Sequence, residues 1–148
     1  MITDSSRISI YNYLETVFAN VSDNIYLMSE PTENNTSDTE DGFVLINVGN
    51  VNDESEFDCD AYGWVRCQIT AYVPKRSRGR LDTNLYKGFE ERIDAAIKAN
   101  TGENNVGGYY ILDDDVLSME GNEETNRGNQ YHVLIKSFVV VIDQQSIS

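Results

Sequence analysis

Residues 62–73, YGWVRCQITAYV, constrain the fold more than any other stretch. Val65, Cys67, Ile69, Ala71 and Val73 alternate with Trp64, Arg66, Gln68, Thr70 and Tyr72. Only an extended strand sorts such an alternation into separate faces. The first face is small and apolar and suits packing under helices. The second sets large rings beside polar groups and suits a wet surface or a partner. Pro74 ends the strand, and Lys75, Arg76, Arg78 and Arg80 crowd into the turn that follows, KRSRGR. A helix is then expected over 82–99. Leu85, Phe89, Ile93, Ala96 and Ile97 form its apolar stripe, and Asp82 or Thr83 can accept from its first free amides. Asn100-Thr101-Gly102 can close it in a left-handed conformation.

The rest of the chain supplies layers for this unit. Residues 4–20 predict a first helix, with Asp4, Ser5 or Ser6 as cap and Ile8, Tyr11, Leu14, Phe18 and Val21 on its buried face. Ile25 to Met28 reads as an edge strand or an extended lead into Pro31. Residues 42–51 alternate as a half-buried strand, and this strand is expected to pair antiparallel with 62–73 as a long hairpin. A short strand is expected at 109–112. The closing strand, 130–142, QYHVLIKSFVVVI, is apolar almost throughout, with Lys136 and Ser137 as the polar interruptions. A strand of this kind wants cover on both faces, and a neighbouring subunit is the simplest source of the second. Segments 29–41, 52–61 and 113–128 are rich in acid and turn residues and read as exposed loops. The expectation is a single domain spanning 1–148. Its fold class is α+β, an antiparallel or mixed sheet of four to five strands with both helices on one face.

Acidic residues outnumber basic ones 25 to 11, for a net charge of −14. Such a surface repels nucleic acid and anionic membranes and argues against general binding to either. No apolar run approaches a membrane span or a signal-peptide core, so the chain reads as soluble and intracellular. The cysteines are Cys59 and Cys67, with His132 as the sole histidine, too few for a zinc site. Cys67 sits on the apolar strand face and reads as a buried free thiol, and whether the pair is reduced stays open.

No catalytic signature stands out. Asp113, Asp114, Asp115, Glu120, Glu123 and Glu124 could offer oxygen ligands to a divalent cation, but their spacing misses the calcium loop and reads as a solvated turn. Asp53, Glu54, Glu56, Asp58 and Asp60 read the same way. His132 has no nucleophile in a recognisable elbow beside it, and Gly107-Gly108 is too short for a phosphate loop. The reading is therefore non-enzymatic, with no cofactor and no metal. Trp64, Arg66, Tyr72, Lys75, Arg76, Arg78 and Arg80 are the expected subunit or partner contacts, because they combine an unclaimed strand face with the strongest positive feature of an acidic chain.

The order of elements resembles the tail-terminator and tail-completion proteins of tailed bacteriophages. The resemblance lies in LETVFANVSDNIYLMSEP leading to GFVLINV, in WVRCQITAYV running through a turn into LYKGFEERIDAAI, and in the closing YHVLIKSFVVVI. It covers most of the chain. It implies a structural virion protein that forms a ring, commonly a hexamer, at the head-tail junction. Tail-tube and neck or connector proteins would be its neighbours, and DNA would pass through its lumen without specific binding. No functional residue is carried across. The acid in 29–41 exceeds what the resemblance requires and leaves another neck or connector component open. The same charge also admits an acidic DNA mimic that inhibits a DNA-binding enzyme, although the acid lies in loops instead of along helix faces. A metal-dependent hydrolase using Asp113 to Asp115 is the remaining alternative.

Overall fold

The computed structural model describes residues 4–27, 42–49, 62–101, 108–124 and 130–143. The expected loops at 29–41 and 52–61 lie outside them. The elements run α1 (Asp4–Val17), β1 (Ile25–Leu27), β2 (Phe43–Val48), β3 (Tyr62–Pro74), α2 (Thr83–Ala99), β4 (Tyr109–Glu124) and β5 (Gln130–Asp143). The five strands form one sheet in the order β1-β2-β3-β5-β4. All neighbours are antiparallel except β1 and β2, so the sheet is mixed. This is the expected α+β class, and β2 and β3 pair as the expected hairpin arms, Phe43 opposite Tyr72 and Val48 opposite Cys67.

Both helices lie on one face. Val44, Ile46 and Val48 of β2, the alternating set Val65 to Val73 of β3, and Leu134, Phe138, Val140 and Ile142 of β5 form one core with Ile10, Leu14, Phe18, Phe89, Ile93 and Ile97. Burying each large side chain here contributes ~1.5–3 kcal/mol. Asp82 caps α2 by accepting from the Leu85 N–H at 3.2 Å. At the other end the expected left-handed close is not made by Asn100, and Gly102 lies outside the described residues. Asn100 has φ −120°, so no left-handed residue closes the helix at this position. Its side chain donates to the Ala96 carbonyl at 2.8 Å and its N–H to Ile97, and these bonds satisfy carbonyls the last turn leaves over.

In α1 the buried stripe is Ile10, Leu14, Phe18 and Val21 with Tyr11 and Tyr13, whereas Ile8 is 62% exposed. The spacing of Ile8 fits the helical period, but it falls a turn too early for the sheet beneath. Tyr11 also finishes an edge. β1 accompanies β2 only to Ile46, and beyond it the Val48 N–H donates to the Tyr11 hydroxyl at 3.0 Å. Gly42 enters β2 with φ +75°, so close to β3 that a Cβ there would stand 2.4 Å from the Tyr72 carbonyl oxygen.

The region 113–128 is corrected as far as residue 124. The short strand expected at 109–112 continues to Glu124, with a register shift between Leu112 and Leu117. Asp is a poor strand former, which made the run look like a turn. Residues 117–124 are held extended by the ladder along β5, while residues 113–116 fall within the register shift, as in a bulge.

Candidate functional site

The face of the sheet away from the helices carries Tyr26, Phe43, Leu45, Trp64, Arg66, Gln68, Thr70, Tyr72 and the odd-numbered residues of β5, as the registers require. Its centre is aromatic. Phe43 stacks on Tyr72 at 4.4 Å between centroids, and Tyr131 meets both edge-on at 5.4 and 5.8 Å. These rings close over one another with Val133, so Tyr72 is only 3% exposed. The expectation that β5 needs a neighbouring subunit on this face is corrected here. Tyr131, Val133, Val139 and Val141 are all buried within the single chain. β5 lies between β3 and β4, and Phe43 and Tyr72 close over its Tyr131 and Val133.

Trp64 and Arg66 are half-buried on the same face, toward the other end of β3. The Arg66 guanidinium donates to Ser137 Oγ at 3.0 Å. It lines a shallow recess of ≈ 170 Å³ with Asn47, Gly49, Gln68 and Ser137. Arg66 and Trp64 therefore present mixed polar and aromatic surface, while Tyr72 belongs to the packed cluster.

The basic turn stands at the Pro74 end of β3. Arg76 N–H donates to Arg80 O at 2.8 Å and Gly79 N–H to Arg76 O at 2.9 Å, which folds the loop on itself. Arg78 (φ 63°) and Gly79 (φ 72°) are both left-handed, a conformation glycine takes freely and Arg78 takes under strain. The arginines do not act alike. Arg76 is bound to Asp82, its Nε 2.7 Å from Oδ2, so it braces the residue that caps α2. That bond first, then the Leu85 N–H, holds the Asp82 carboxyl below its ordinary range. Arg78 and Arg80 are exposed, Lys75 is half-buried, and none of these makes an ion pair among the described residues. Of the expected contacts, the turn and the Trp64/Arg66 surface lie at opposite ends of β3. With 13 residues, the strand spans about 40 Å.

The sequence reading missed several groupings. Lys136 is buried beneath α2 and ion-paired to Asp94 at 3.1 Å. Arg92 donates to the Val21 carbonyl at 2.9 Å and lies 5.1 Å over the Phe89 ring, tying α2 to the turn after α1 beside a crevice of ≈ 550 Å³. Leu81, Tyr86, Glu120, Asn122 and His132 surround a recess of ≈ 240 Å³. There His132 Nε2 lies 3.4 Å from the Gly79 carbonyl. The Tyr86 hydroxyl lies beside the Glu120 carboxylate, and burial, followed by that carboxylate, pushes its pKa well up. A phenol kept protonated is a donor and not a base. Burial likewise pushes the Cys67 thiol up to about 12, against a small opposing pull from Arg66, so it is not a poised nucleophile. Among the described residues no three His, Cys, Asp or Glu side chains converge as metal ligands. The side chains of Asp113 to Asp115 lie outside that description. No described helix is long and apolar enough to cross a membrane.

Leu117 and Met119 are exposed on β4, the edge strand, at 54% and 46%. Their alternation with Ser118 and Glu120 was legible, but the acids before them hid it. Comparison with protein-family models gives no match, and comparison with curated proteins gives none.

Proposed function

We propose that this protein is a structural subunit of a tailed-bacteriophage virion that assembles as a ring, with hexamer the expected state, at the head-tail junction. There it terminates or completes the tail. Tail-tube and neck or connector proteins are its neighbours, and DNA passes through the lumen without being held.

The observation that carries this reading is an exposed basic turn on a strongly acidic chain. Lys75, Arg78 and Arg80 stand at the Pro74 end of β3. Acidic residues outnumber basic ones 25 to 11 over the whole chain. An exposed basic turn on a subunit with a net charge of −14 can meet the acidic surface of another copy, and such head-to-tail contacts close as a ring when the rotation allows. The same net charge suits a lumen that repels phosphates.

Size-exclusion chromatography with light scattering, followed by negative-stain microscopy, tests the proposal. Rings are expected for the unaltered chain, and loss of rings with retained fold for Arg78→Glu/Arg80→Glu. A strict monomer at high concentration that also fails to assemble on purified tails would overturn it.

A further inference from the structure

We infer that the outer edge of β4, over Leu117–Asn122, accepts an added β-strand from a different protein, one whose side chains alternate between apolar and basic. This does not rest on the ring. β4 ends the sheet, and among the described residues its outer side meets only a parallel bridge between Thr101 and Ile111. Beyond Leu112 its outward amides and carbonyls therefore offer a ready ladder. Leu117, Ser118, Met119, Glu120 and Asn122 are all exposed, Leu117 and Met119 on the face away from the helices and Glu120 and Asn122 at the rim of the recess that holds Tyr86 and His132.

The register states what an occupant would carry. Leu117 and Met119 face the same side as Ile135 and Ser137 of β5, away from the helices. Gly121 follows on that side, where even a Cβ would come within 3.3 Å of the Val133 side chain, and it leaves a notch beside Met119. Occupant residues on this side are best apolar. Ser118, Glu120 and Asn122 face the other side, so basic residues fit there. Charge decides against a second copy laid along the same edge. β4 contains Asp113, Asp114, Asp115, Glu120, Glu123 and Glu124 with no Lys or Arg, so β4 against β4 would set acid beside acid. A basic strand meets the opposite condition. Backbone bonds would supply affinity, and the alternate side chains selectivity.

The probe is a fluorescently labelled peptide alternating lysine with valine. Its controls are a peptide of the same composition in blocks and one alternating glutamate with valine. Binding is read by anisotropy, and amide hydrogen exchange is followed residue by residue. The alternating basic peptide is expected to bind and to slow exchange across Leu117–Asn122. Leu117→Lys/Met119→Lys, exposed positions that leave the core untouched, is expected to weaken binding about tenfold, the scale of losing a pair of cross-strand contacts. Equal binding of the block peptide would show plain charge attraction and overturn the inference. So would binding without protection of these amides, or no binding at all.

Discussion

Lys136 and Asp94 give a prediction whose sign depends on burial. Lys136 projects from β5 toward α2, where its side chain is 9% exposed, and its ammonium meets Asp94 at 3.1 Å while Asp94 remains 52% exposed. Breaking a fully buried pair by removing one partner costs ~3–5 kcal/mol, because a charge stays behind without compensation. Here the carboxylate is half in water, and its loss is partly screened. Asp94→Asn is therefore expected to cost about 2 kcal/mol, or about 4–8 °C in midpoint for a domain of this size. Lys136→Met removes the buried charge itself and keeps the volume, so it should change stability by less than ~1 kcal/mol, or raise it. Adding Asp94→Asn to Lys136→Met should then cost almost nothing. Urea denaturation of both single variants and the double variant at neutral pH closes the cycle. A loss above ~2 kcal/mol for Lys136→Met, or additive losses in the double variant, would refute the argument that an unpaired buried charge is the origin of the effect.

Gly42→Ala should cost ~3 kcal/mol or more by chemical denaturation, since a left-handed φ of +75° and a Cβ 2.4 Å from the Tyr72 carbonyl add together. Asp82→Ala should cost ~1 kcal/mol through loss of the helix cap. Because the folded Asp82 carboxyl is held below its unfolded value, its contribution is complete above that unfolded value and fades as pH falls through the folded one. Arg76→Gln should shrink this acid-limb contribution, while Arg78→Gln leaves acid titration curves unchanged. In a Cys59→Ser background, Cys67 should resist iodoacetamide at pH 8 until the chain unfolds. Tyr13 and Cys67 are both pushed up to about 12. Their contribution is complete below the unfolded values and is lost as pH rises from there toward about 12, so stability should decline through that alkaline window.

What the sequence determined was local. The alternation of Val65 to Val73, the stripe Phe89-Ile93-Ile97 and the cap at Asp82 each depend on residues a few positions apart, and each stands where the spacing placed it. The α+β class followed, because such elements in this order bury their apolar faces in few ways. The tertiary structure decided what lies beside what. It put Asp94 over Lys136 and bound Arg76 to the helix cap, which separated that arginine from Arg78 and Arg80 within a turn that reads as uniformly basic. It let Tyr72, Tyr131 and Val133 bury one another within a single chain. It drew residues 117–124 into β4 against the turn reading, because ladder bonds to β5 depend on strand register and not on side-chain propensity, and it left residues 113–116 in the register shift. Spacing along a chain encodes periodicity, whereas contacts across a sheet depend on register between segments far apart, and one chain read alone carries no direct mark of that register.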